Sequence, residues 1–152
     1  MDRDAFIREY GWIFEDSPWV AERTWSAQLF DTHAELHRAL VQTVERASQE
    51  EKLALLRAHP DLGTRARVSD ASSAEQAGAG LDQLSPDEFD MLTRLNTEYR
   101  GKFGFPFLFA VKGSTKHDIL NALQRRLSSS WDEEFGEALR QVYRIAAFRL
   151  GV

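Results

Sequence analysis

The chain has no cysteine. That absence removes disulfide staples, thiolate metal sites, iron–sulfur clusters and cysteine nucleophiles together, and it fits a reducing compartment. Long apolar runs are also missing. Met1-Asp2-Arg3-Asp4 is charged and leads into none, which predicts neither a signal peptide nor a membrane helix and points to a cytoplasmic protein with no membrane partner. Basic residues are the minority, 19 Lys and Arg against 24 Asp and Glu, and the net charge of −5 argues against nucleic acid as a partner. No G-x-x-x-x-G-K-[ST] or G-x-S-x-G motif occurs, and Gly78-Ala79-Gly80 lacks the third glycine and the preceding strand of a dinucleotide fingerprint. His33 and His37 are spaced i, i+4, but Glu35 does not follow His33 directly as H-E-x-x-H requires, so a solvated helix face is expected there.

The 152 residues that remain fit one domain over 1–152, long enough to bury roughly two thirds of its unfolded surface. Helix starts are the clearest positive signal. Thr32 with Glu35, Ser48 with Glu51, Ser72 with Glu75, Ser85 with Glu88 and Ser130 with Glu133 all match the reciprocal capping box. Pro86 adds a favoured first helical residue, and Ser17-Pro18 opens another helix. Apolar residues recur on single helical stripes: Leu36, Leu40, Val44 and Ala47; Ile119, Leu123 and Leu127; Phe135, Leu139, Val142 and Ala146. The pattern predicts helices near 3–11, 18–29, 33–47, 49–57, 73–78, 86–100, 115–128 and 131–149. One segment departs from it. Phe103, Phe105, Phe107, Phe109 and Val111 alternate with a period of two, while Gly104 and Pro106 exclude a regular helix. The expected fold is therefore an all-α, single-domain compact bundle of about eight helices with one extended, buried Phe/Pro-containing segment. No second convincing strand exists to pair with that segment, so its N–H and C=O groups need other partners, a ligand among them.

Three places carry candidate chemistry. His59 precedes Pro60, which ends the 49–57 helix and leaves the imidazole near unpaired carbonyls whose negative end favours the protonated ring. It is either a rigidly held proton-transfer group or a histidine that only caps the helix. Ser72-Ser73-Ala74-Glu75-Gln76 starts a short helix whose N–H groups suit an anion such as a carboxylate, with Glu75 and Gln76 beside it; the alternative is that Glu75 only completes the capping box. Arg149 continues the Val142 and Ala146 stripe, where an unpaired charge is costly, so it needs either an internal acid or a bound carboxylate. Asn96, between Leu92 and Tyr99, reads as a structural hydrogen-bonding group.

Taken together, His59-Pro60-Asp61-Leu62-Gly63, Ser72 to Leu81, and Leu95-Asn96 through Lys102-Phe103-Gly104-Phe105-Pro106-Phe107 resemble the 2-oxo-4-hydroxy-4-carboxy-5-ureidoimidazoline decarboxylases. The likeness extends from Ser17-Pro18-Trp19-Val20-Ala21-Glu22-Arg23 through Val111-Lys112-Gly113-Ser114-Thr115-Lys116 to Arg149-Leu150. This resemblance implies an all-helical, homodimeric lyase that decarboxylates a small ureidoimidazoline to (S)-allantoin in urate breakdown, with no metal or organic cofactor. It puts the catalytic histidine on His59 and its glutamate partner on Glu75. Substrate contacts fall on Pro60, Ser72, Gln76, the backbone of Phe107, Leu108, Phe109, Ala110 and Val111, and Arg149. The short loop from Gly63 to Ala71 looks bacterial, and the ending Arg149-Leu150-Gly151-Val152 lacks a Ser-Lys-Leu peroxisomal address. Two rivals stand beside this reading: a helical interaction module whose Phe103 to Phe109 rings form an exposed partner groove, and a hydrolase of a neighbouring ureide.

Overall fold

The computed structural model describes residues 1–26, 30–63 and 69–152. Eight helices and no strand occur among them: α1 Arg3–Tyr10, α2 Trp19–Thr24, α3 His33–Glu45, α4 Gln49–Arg57, α5 Asp70–Gly78, α6 Pro86–Phe103, α7 Lys116–Arg126 and α8 Trp131–Leu150. Capping decides most of the starts. Ser48 with Glu51 and Ser85 with Glu88 form complete boxes, whereas Thr32 and Ser130 accept the N3 amide without the reciprocal bond. None of the helices is long and apolar enough to cross a membrane.

Three boundaries differ from expectation by three residues or more, each for a local reason. The helix expected at 18–29 stops at Thr24, whose hydroxyl bonds back to the Val20 carbonyl and across to Thr43 on α3; residues 27–29 lie outside the described set. Ser17 does not cap it, because its hydroxyl donates to the Glu15 carbonyl. Helix α6 continues past Gly101 to Phe103, which packs on Tyr99 with ring centroids 4.5 Å apart, and it ends at Gly104, left-handed at φ 79°. Helix α5 begins three residues early: Ser69, not Ser72, is its N-cap, accepting the Ser72 amide at 3.1 Å.

The long C-terminal helix α8 organises the rest. Its buried stripe of Ala138, Leu139, Val142 and Ala146 joins a single core with Leu36, Leu40 and Val44 of α3 and Leu55 and Leu56 of α4. His33 and His37 are not merely solvated. Their imidazoles bond the α8 carbonyls of Leu150 at 2.9 Å and Tyr143 at 2.8 Å, tying α3 to α8.

After Gly104 the chain runs through 105–111 with neither helix nor strand partner. The odd-numbered rings explain the period of two: Phe103, Phe105 and Phe107 all pack around the buried Tyr99 of α6, at 4.5, 6.1 and 5.5 Å between centroids. Phe103, Phe105 and Phe107 are at most 3% exposed, so the groove that an interaction module requires does not exist at these rings. Side chains meet part of the backbone's hydrogen-bonding need. Arg57 donates to the Gly104 carbonyl, Trp131 to the Phe103 carbonyl and Arg126 to the Leu108 carbonyl, while Gln141 accepts from the Ala110 amide.

Candidate active site

A cavity of about 380 Å³ opens between the turn after α4, helix α5, the segment 107–113 and the end of α8. Every site residue expected from the sequence lines it: His59, Pro60, Ser72, Glu75, Gln76, Phe107 to Val111 and Arg149. Residues 64–68 of the short loop lie outside the described set.

His59 sits just beyond α4 and is 6% exposed. Its Nδ1 lies 2.9 Å from the Leu55 carbonyl. A carbonyl only accepts, so Nδ1 carries the hydrogen and Nε2 keeps the lone pair. Capping and chemistry are thus not alternatives here: one nitrogen caps the helix and the other is left for the cavity. The helix end does favour the protonated ring, as expected, through the Leu55 carbonyl, but a stronger effect opposes it. Burial pushes the His59 pKa down and outweighs the opposing pull of the Leu55 carbonyl, Glu15 and Glu75.

The turn that holds His59 is tied at successive residues. Asp61 pairs with Arg100 at 3.0 Å, the Leu62 carbonyl accepts from Asn96 at 2.9 Å, and the Gly63 amide donates to Gln76 Oε1 at 2.9 Å. Gly63 has φ 72°, and a Cβ there would come within 2.4 Å of Leu92 Cδ2, so both conformation and space require glycine. The bond to Gly63 fixes Gln76 through its oxygen, leaving its amide nitrogen as a donor on the cavity wall.

Because Ser69 caps α5, Ser72 and Glu75 are released from capping, and the helix-start anion site expected at 73–78 does not form: the Ser72 and Ser73 amides are bonded to Ser69. Glu75 instead receives a two-pronged contact from Arg149, Nε to Oε2 at 3.0 Å and Nη2 to Oε1 at 2.9 Å. Arg149 is held from every side. Nη1 donates to the carbonyls of Trp12 and Ile13 at 3.1 and 3.2 Å, and Nη2 reaches Glu15 at 3.1 Å and Ser72 Oγ at 3.3 Å. Of the two partners considered for Arg149, the internal acid is the one present, and there are two of them.

Glu15 is the member of this cluster that sequence reasoning missed. It is 2% exposed, in a turn where Asp16 adopts φ 44°, and Ser69 donates to it at 2.8 Å. Burial disfavours its charge, but the Ser69 and Ser72 hydroxyls and the Arg149 guanidinium together hold its carboxyl below the usual range. Burial likewise opposes the Arg149 charge, and Glu75 and Glu15 more than offset it, raising its pKa. No local motif marks Glu15; the available signal is an acid between Phe14 and Asp16, just ahead of Ser17-Pro18.

The arrangement offers a buried imidazole beside an oriented carboxylate. Nε2 of His59 is neutral and basic, Glu75 is fixed in direction by Arg149, and Gln76 and the 107–111 backbone supply amide donors and acceptors. No group of three or more His, Asp or Glu is arranged to hold a metal among the described residues.

Comparisons with known proteins agree on one lineage. The OHCU decarboxylase family model matches residues 1–151. A protein of Haloferax volcanii named 2-oxo-4-hydroxy-4-carboxy-5-ureidoimidazoline decarboxylase is 49% identical over 150 residues, covering 99% of this chain and 89% of that protein. Its namesake from Halalkalicoccus jeotgali is 48% identical over 149 residues, covering 98% and 85%. Among solved structures, an (S)-allantoin synthase superposes with a TM-score of 0.80 at 33% identity, over 99% of this chain and 50% of that one. Matched over nearly its full length by the family and by relatives of near 50% identity, the chain belongs to the OHCU decarboxylase family.

Proposed function

We propose that this chain decarboxylates 2-oxo-4-hydroxy-4-carboxy-5-ureidoimidazoline to (S)-allantoin, with His59 as the proton-transfer group and Glu75 as its partner. The observation that carries this reading is the buried imidazole whose hydrogen is committed to the Leu55 carbonyl, so that Nε2 serves as a base in the cavity. The carbon–carboxylate bond breaks and its electron pair passes into the substrate's own conjugated imine, so no external electron sink is required. His59 Nε2 takes the hydroxyl proton and returns it to one face of the ring carbon. One solvent proton balances the charge left when the carboxylate departs as carbon dioxide. Glu75, held by Arg149, orients the substrate hydroxyl toward Nε2.

Pro60, Ser72, Gln76 and the backbone of Phe107 to Val111 bind the ring and ureido amides. Arg149 serves chiefly by fixing Glu75, since its donors are already engaged. Because the Arg149 guanidinium is already shared between Glu15 and Glu75, it does not clamp the leaving carboxylate, which avoids stabilising the ground state. The acidic, cysteine-free composition supports a cytoplasmic location, and the family resemblance supports a homodimer, for which sedimentation should return twice the chain mass.

The decisive assay generates the unstable intermediate from urate in situ and follows allantoin by circular dichroism. Accelerated formation of one enantiomer is expected. Racemic allantoin forming at the spontaneous rate rejects the reading, and a ureide-hydrolysis product in place of allantoin favours the hydrolase.

A further inference from the structure

We propose that Arg126 and Gln141 are positioning residues for this reaction: from behind the pocket they set the 107–111 main chain in the register that the substrate's amides meet. The proposal rests on the active-site reading above. Neither residue lines the cavity, and each reaches the wall from its far side. Arg126 of α7 donates from Nη1 to the Leu108 carbonyl at 2.6 Å and from Nε to Glu134 at 2.8 Å, with its guanidinium 4.5 Å from the Phe107 ring centroid. Glu134 in turn accepts from the Tyr99 hydroxyl, the hub of the phenylalanine rings. Gln141 of α8 accepts the Ala110 amide at 2.9 Å and donates to Glu137 at 2.8 Å.

The choice of bonded residues is informative. In an extended chain the N–H and C=O of one residue point to the same side, and neighbouring residues point to opposite sides. Ties at Leu108 and Ala110 therefore turn the polar groups of Phe107 and Phe109, and the Val111 amide, the other way, toward the cavity that these residues line. A sheet would fix this register through a partner strand; here two side chains do it. The arrangement is costly for stability alone, because Arg126 and Glu134 are 8% and 3% exposed at their side chains and Arg126 Nη2 has no partner among the described residues. An apolar filling would serve packing equally well, whereas a hydrogen-bonded one fixes register.

The test uses the full chain and the in situ ureidoimidazoline assay. Gln141→Leu removes the acceptor for Ala110. Gln141→Glu keeps an acceptor but sets it against Glu137, and the exchange Glu137→Gln with Gln141→Glu restores one donor between the two positions. Displacing a wall that binds substrate and transition state alike raises KM while kcat and its pH profile stay put, and about tenfold in KM is expected for both single variants. The exchange should bring KM back to within about threefold of the unmodified chain, since the pairing it restores is of the ordinary hydrogen-bond strength. A purely structural role gives another pattern: lower thermal midpoints and less active protein with unchanged KM, and an exchange that recovers stability only. An unchanged KM in Gln141→Leu overturns the proposal, as does a double exchange that leaves KM high. If the unmodified chain fails to accelerate the reaction, the decarboxylase reading falls and takes this proposal with it. If the chain is active and His59→Ala is not, an unchanged KM in Gln141→Leu overturns the shared positioning of the 107–111 main chain and leaves the decarboxylase reading standing.

Discussion

The two walls of the cavity are built on opposite plans. On one side, His59, Ser72, Glu75 and Arg149 bring side chains whose polar atoms do the work, each locked by another side chain or a carbonyl. On the other, residues 107–111 bring mainly main chain, with the Phe107 ring turned to Tyr99 and Arg126 and the register held by Arg126 and Gln141. Each wall depends on a buried arginine paired with acid, Arg149 with both Glu15 and Glu75, Arg126 with Glu134. The difference teaches where each wall is vulnerable. A side-chain wall is disarmed by deleting one functional group, whereas a backbone wall yields only to changes in what supports it.

The comparison is broken most forcefully at His59. His59→Ala should lower kcat by about 100- to 10,000-fold while far-ultraviolet circular dichroism stays the same; retained turnover would place the base elsewhere. Arg149→Met comes next, because it strands Glu15, 2% exposed, without its cation. A loss of about 3 kcal/mol in urea unfolding is expected, and a near-wild-type midpoint would mean that water reaches Glu15. Gly63→Ala attacks the turn, forcing a Cβ against Leu92 at φ 72°; a destabilisation of about 2 kcal/mol, with KM rising as Gln76 shifts, is the expected outcome.

The pH response is smaller and its sign is fixed. Folding depresses the His59 pKa below the ordinary 6.5, so the unfolded imidazole takes up a proton more readily than the folded one. The stabilisation from keeping His59 neutral is complete above pH 6.5 and is lost as pH falls through the folded-state value; kcat/KM should fall over the same acidic range and be flat above neutrality. A rate that climbs on acidification from pH 7 would instead assign a protonated imidazole to the first step. At the low end, Arg100→Ala breaks a solvent-exposed pair with Asp61 and should shift stability by less than about 1 kcal/mol, with the Asn96 and Gln76 bonds still holding the turn.

Much of this was legible in residue order because it is local. The capping pairs at Ser48 and Ser85, the apolar stripe of α8 and the Phe alternation depend on neighbours within a few positions, and they foretold helices and a non-helical stretch where both occur. Local rules failed where two candidates competed. Ser69 and Ser72 both suit an N-cap; the contact between Ser69 and the distant Glu15 selects the first and frees Ser72 and Glu75 for Arg149. His33 and His37 look solvated until α8 brings the carbonyls of Leu150 and Tyr143 against them.

By itself, then, the sequence determined the helical class, the extended break near Gly104 and Pro106, and the residue types able to move a proton, since propensity, capping and side-chain chemistry are carried by residues close in the chain. Tertiary structure alone decided the charge state of His59, the double acid clamp on Arg149 and the partners of the 107–111 backbone. Those depend on burial and on contacts such as Arg149 with Glu15, 134 residues apart, and neither solvent exclusion nor long-range pairing is written in local order.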